Sequence, residues 1–169
     1  MQFIETSLTD LYKGTVKAFP KTTLRQYATD TVRVERLEWV PFLGMKTLFI
    51  KGIIKNEGRK YESIILFKNI NYKESEGKKV VKIKMSTGKE YFVEQIESEQ
   101  NDVLVNCQCK DFYWRFKHFN KLDKSLYGRD RRPYKGFMRP DTANPMEMAG
   151  MCKHLIKMAK IIKESNLLI

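Results

Sequence analysis

All three cysteines of this 169-residue chain, and one of its two histidines, fall into two short motifs, Cys107-Gln108-Cys109 and Gly150-Met151-Cys152-Lys153-His154. Three thiols and an imidazole are the soft donors that a closed tetrahedral zinc site takes, and a full shell of four leaves no coordination position for a substrate. Cys107, Cys109, Cys152 and His154 are therefore the candidate ligands of one structural Zn²⁺ per chain. Three other uses compete with zinc. Cysteine packs well as a small buried apolar residue, two of the three thiols can pair as a disulfide, and His154 can be an ordinary helix residue. An odd cysteine count, with no basic-then-apolar leader pattern at Met1-Gln-Phe-Ile-Glu5, argues against a disulfide framework. His118 is remote from both motifs and is the weaker alternative ligand.

The elements around these residues must aim them at one point. Asp102 to Asn106 reads as a strand running into Cys107, and on an extended backbone residues two apart face the same way. On a helix, positions two apart lie about 200° around the axis. Cys152 and His154 thus cannot both bind from mid-helix, and Cys152 is expected just before a first turn that begins near His154. Gly150 and the upstream Asn144-Pro145 suit that entry. The helix that follows sets Leu155, Met158, Ala159 and Ile162 on one stripe, with Lys157, Lys160 and Lys163 on another face.

The rest of the chain is predicted to be α+β. Residues 1–30 read as a helical arm, with Leu8, Leu11, Tyr12 and Val16 on one face behind a Thr6 or Ser7 cap and a second short helical turn from Leu24 to Thr29. Residues 31–106 change period. Val32–Val40, Lys46–Ile54, Tyr61–Phe67, Lys79–Met85 and Tyr91–Ile96, with the run into Cys107, make about six strands. Ser86-Thr87-Gly88-Lys89 is a plausible hairpin turn. Short polar connections predict an antiparallel meander closing into a small sandwich or barrel. Residues 107–169 form a third unit built around the four candidate ligands. Phe112, Phe116 and Phe119 fall at helical spacing and are expected to point into a core beside them.

Composition narrows the function. With 42% hydrophobic residues the chain is long enough to bury a core, and no window reaches membrane-spanning length. There is no phosphate-binding Gly-rich loop, no H-E-x-x-H and no G-x-S-x-G, so an enzyme is the least favoured class. The net charge of +12 is uneven: residues 107–169 carry 14 Lys/Arg against 6 Asp/Glu. A basic face attracts acidic protein surfaces and phosphate backbones alike. Residues 121–145 form a long basic loop enclosed by the two cysteine motifs, and a zinc clip would tie it down. Arg129, Arg131, Arg132 and Arg139 from this loop, with Lys153 and Lys157 from the last helix, are the candidate contact surface. Tyr113 and Trp114 are candidates to stack on unpaired bases if the partner is nucleic acid.

The C-x-C and C-x-H pairs resemble the SWIM-type zinc finger, in which two cysteines lie on strands and the C-x-H pair opens a helix. The match covers residues 107–154, with a longer insertion between the pairs than compact members have. That resemblance implies Cys107, Cys109, Cys152 and His154 as ligands. More widely, Val105-Asn-Cys-Gln-Cys-Lys-Asp-Phe-Tyr-Trp-Arg-Phe116, Arg139-Pro-Asp-Thr-Ala-Asn-Pro145 and Gly150-Met-Cys-Lys-His-Leu155 resemble small virion proteins of large tailed bacteriophages. It implies a structural part of the particle, present in the virion and in the host cytoplasm during assembly, with other virion proteins as partners.

Overall fold

A computed structural model describes residues 5–129 and 139–169. The chain is α+β, and its largest element is a four-stranded antiparallel sheet of β1 (Val32–Phe42), β2 (Thr47–Asn56), β3 (Arg59–Phe67) and β7 (Val103–Cys107), in the order β1-β2-β3-β7. Between β3 and β7 the chain leaves to build a second sheet from β4 (Tyr72–Lys73), β5 (Val80–Lys84) and β6 (Glu90–Glu94), ordered β4-β6-β5. The two sheets stay separate, and no closed barrel forms among the described residues.

Local chemistry accounts for the turns. Glu57 and Gly58 both lie at positive φ, 51° and 75°, as a tight turn joining two right-twisted strands needs. Between β5 and β6, Gly88 at φ 87° donates its N–H to Met85 O, in the hairpin turn expected there. The two-residue strand β4 has no counterpart in the sequence reading, because too few alternating residues surround Tyr72 to show a period.

Helix α1 (Leu8–Ala18) begins at a capping box in which the Ser7 hydroxyl accepts from the Asp10 amide and the Asp10 carboxylate accepts from the Ser7 amide. The short α2 (Thr23–Tyr27) follows. The aromatic run expected as one helix is two, α3 (Lys110–Arg115) and α4 (Lys117–Leu122), divided at Phe116. Its three rings at Phe112, Phe116 and Phe119 are nevertheless all buried. After a short α5 (Pro140–Ala143) comes α6 (Lys153–Glu164), which buries Leu155, Ile156, Met158 and Ile162.

Helix α6 lies on the inner face of the four-stranded sheet, where Leu48, Ile50, Ile54, Ile65, Phe67, Val103 and Val105 are wholly buried. Contact is close at Gly52 of β2, where an added Cβ would stand 2.9 Å from the Met158 sulfur. One hydrophobic cluster runs through the molecule from Leu8 to Leu168 and includes the three cysteines. The chain end completes it, as Leu167 and Leu168 pack in while Ile96 and Ser98 accept or donate backbone hydrogen bonds along residues 167–169. No described helix is long and apolar enough to cross a membrane.

Candidate metal centre

Each candidate ligand sits where a regular element ends or begins. Cys107 is the last residue of β7. Cys109 is the N-cap of α3, with extended φ and ψ of −71° and 153°, and its sulfur accepts the Phe112 amide at 3.2 Å. Cys152 is the N-cap of α6, also extended, and His154 lies in that helix's first turn. Cys152 therefore stands just ahead of the helix, as the two-residue spacing to His154 requires. Strand pairing stops at Cys107, and Cys109 two residues on is extended. Gln108 between them is tied to Glu62, whose carbonyl accepts its amide at 3.0 Å.

The fold brings together one ligand atom from each of Cys107, Cys109, Cys152 and His154, all within 4.8 Å of one another, and all four residues are buried. Such a group could hold a metal ion. His154 Nδ1 is 3.8 Å from the Cys107 sulfur and 4.0 Å from that of Cys152, and Nε2 is buried with no hydrogen-bond partner. Nδ1 thus faces two sulfurs, the position from which it could bind a cation, while Nε2 on the other side of the ring stays unpartnered either way. All three thiols are free, so no disulfide joins them. His118, on α4, lies edge-on to Phe119 and outside the group.

The electrostatics favour a cation. Burial opposes ionisation of Cys107, but hydrogen bonds from Cys109, Cys152 and the Ser63 hydroxyl outweigh it and hold that thiol well below the ordinary range. Cys109 is pushed up mainly by its bond to the Cys107 sulfur. Cys152 is pushed up furthest, by burial and then by the two neighbouring sulfurs. Without a shared positive charge the sulfurs compete, and one thiolate raises the cost of the next.

Several supports were not visible in the sequence. Ser63 pairs directly with Cys107 across β3 and β7, and its hydroxyl donates to that sulfur at 3.3 Å. The Tyr61 ring stacks on His154 at 4.4 Å between centroids. Asn120, wholly buried, clamps the approach to Cys152 by donating to Gly150 O at 3.0 Å and accepting the Gly150 amide at 2.9 Å. Thr15 of α1 accepts the Met151 amide at 2.7 Å. The only sequence signal for these is a buried-phase polar residue, Asn120, one position past the Phe112-Phe116-Phe119 stripe.

Gly150 itself has no room to spare. A Cβ there would meet Thr15 Oγ1 at 2.6 Å and the Phe116 ring at 2.7 Å. We expect Gly150→Ala to cost about 1–3 kcal/mol, as overpacking does, and to lower the denaturant midpoint. An unchanged midpoint would show that this loop has slack the geometry does not suggest.

The described candidate contact residues belong to separate elements. Arg129 and Arg139 are exposed, and Arg139 pairs with Asp141 at 3.2 Å. Lys153 and Lys157 are half-buried on α6. Arg131 and Arg132 lie outside the described residues. Compared with protein-family profiles, curated proteins and solved structures, the chain matches none.

Proposed function

We propose that the chain is a structural interaction protein, stapled by zinc in a SWIM-type finger, that serves in the particle of a large tailed bacteriophage. The observation that supports the metal staple is the closed, buried group of three sulfurs and one imidazole, while the finger type and the particle setting rest on the sequence resemblances given above. A tetrahedral zinc ion with bonds of about 2.3 Å to sulfur and about 2.0 Å to nitrogen needs its ligand atoms roughly 3.5–3.8 Å apart. The two sulfur–nitrogen distances of 3.8 and 4.0 Å lie close to that. Four protein ligands leave no open position, so the ion's role would be to hold the helix entry against the strand end, not to act on a substrate. The basic surface around the finger, including Arg129, Arg139, Lys153 and Lys157, would dock on acidic faces of neighbouring virion subunits.

A second reading, a nucleic-acid-binding module, draws on a different observation. The Tyr113 and Trp114 rings meet edge-to-face at 4.9 Å, and Lys117 Nζ lies 5.3 Å from the Tyr113 ring. Aromatic faces beside cations are how single strands are gripped.

One pair of measurements separates the two. A structural role requires the chain to co-purify with the assembled particle of the phage that encodes it, with cross-links from Lys153 or Lys157 to acidic residues of a neighbour. A phosphate binder instead loses affinity for labelled DNA or RNA linearly in log salt, with a slope that counts released counterions. Particles lacking the chain would sink the first reading, and no binding at low salt would remove the second.

A further inference from the structure

A histidine that binds a metal ordinarily uses both ring nitrogens. One meets the ion, and the other donates its proton to a carboxylate, a carbonyl or water, a bond that fixes the orientation of the ring. His154 departs from this pattern. Its Nδ1 lies 3.8 Å from the Cys107 sulfur and 4.0 Å from the Cys152 sulfur, whereas Nε2 is buried with no hydrogen-bond partner among the described residues. Some other contact must hold the Nδ1 edge of the ring toward the sulfurs.

Strand β3 supplies one. Tyr61 and Ser63 are two residues apart on an extended strand, so their side chains fall on the same face. Ser63 is wholly buried, stands opposite Cys107 and donates to its sulfur at 3.3 Å. Tyr61 reaches the same centre at its histidine, where the two rings stack with centroids 4.4 Å apart and planes 24° from parallel. A flat ring that close lets the imidazole slide within its own plane but not turn out of it. Rotation about the His154 Cβ–Cγ bond, the motion that would carry Nδ1 away from the sulfurs, drives the edge of the imidazole into the tyrosine. The backbone end of the side chain is fixed as well, in the first turn of α6.

We infer that Tyr61 is a positioning residue of the metal centre: its ring face, in place of the customary hydrogen bond to Nε2, sets the His154 imidazole so that the ion is bound through Nδ1. This rests on the metal staple proposed above and goes beyond it, because a set of four ligand residues does not say which nitrogen binds or what orients it. The stack uses the ring face and not the hydroxyl, so phenylalanine should serve equally well at this position.

The test is a long-range proton–nitrogen correlation spectrum of the full-length, zinc-loaded chain, which has only two histidines to assign. His154 is expected to carry zinc on Nδ1 and the proton on Nε2. Tyr61→Leu keeps apolar bulk but removes the flat face. It should weaken zinc about tenfold or more in competition with a chelator, the scale of losing a support behind a ligand, and should blur the single Nδ1 signature into a mixture. Tyr61→Phe should match the parent in both readouts, which a role in strand packing alone would not require of the spectrum. Should the leucine variant fail to fold, Tyr61→Met, an adaptable gap-filler, takes its place. Zinc bound through Nε2 overturns the inference and leaves the staple standing. A leucine or methionine variant with the affinity and Nδ1 signature of the parent also overturns it, and a chain that takes up no zinc overturns both.

Discussion

Treating the purified chain with a chelator is expected to release about one zinc per molecule and to unfold the region from residue 107 onward. Structural zinc binding contributes about 10–16 kcal/mol in small finger peptides, as much as the whole net stability of a typical domain, about 5–15 kcal/mol. Against its loss stands the apolar packing of α6 and of the Phe112, Phe116 and Phe119 rings. Helices α3, α4 and α5 have six, six and four residues, too short to persist alone. Cys152→Ser should reproduce chelation. The Cys152 sulfur is completely buried between two other sulfurs and an imidazole, and a hydroxyl there is a poor ligand that leaves three donors unbalanced. Elemental analysis and hydrogen exchange over residues 107–169 give the readout. If the serine variant keeps a full equivalent of zinc and the stability of the parent, the ligand assignment is wrong.

Asp111→Ala should be the most damaging change outside the four ligands, at about 3–5 kcal/mol. Arg25 of α2 reaches Asp111 with two parallel bonds, Nε to Oδ2 at 3.0 Å and Nη2 to Oδ1 at 2.9 Å. The Arg25 side chain is only 7% exposed and lies over the Phe19 ring at 4.5 Å. Removing the carboxylate strands that guanidinium in an apolar setting, and a buried unpaired charge costs more than the pair contributes. Arg25→Met gives the control. It removes the buried charge and keeps the stem's packing, while Asp111 retains Arg115 one turn along α3. We expect the methionine variant to lose clearly less than the alanine variant in urea denaturation. Equal losses would mean that the pair acts through packing and not through charge.

How far the centre could be read in advance depends on the range of the interactions that build it. The ligand set was legible because its constraints are local. A two-residue spacing on an extended chain points both side chains one way, whereas the same spacing on a helix does not, so Cys152 had to precede α6. The buried stripe of α6 and the capping signal before α1 were legible for the same reason, since each repeats within a turn or two of its own helix. The break at Phe116 was not, because it arises from packing: the Phe116 ring is wholly buried, between Phe19 on one side and the Gly150 approach on the other.

What the amino-acid order determined by itself was the class of fold, the four candidate metal donors by type and spacing, and the apolar runs of β2 and β3, all set by neighbours a few residues apart. Only the tertiary structure decided that β7 pairs with β3 across the inserted second sheet, so that Ser63 meets Cys107, and that α6 packs on β3, so that Tyr61 meets His154. Those are contacts between residues 44 and more positions apart. They follow from strand register and from how α6 docks on the sheet, which depend on which faces the assembled core buries and leave no periodic trace in the sequence.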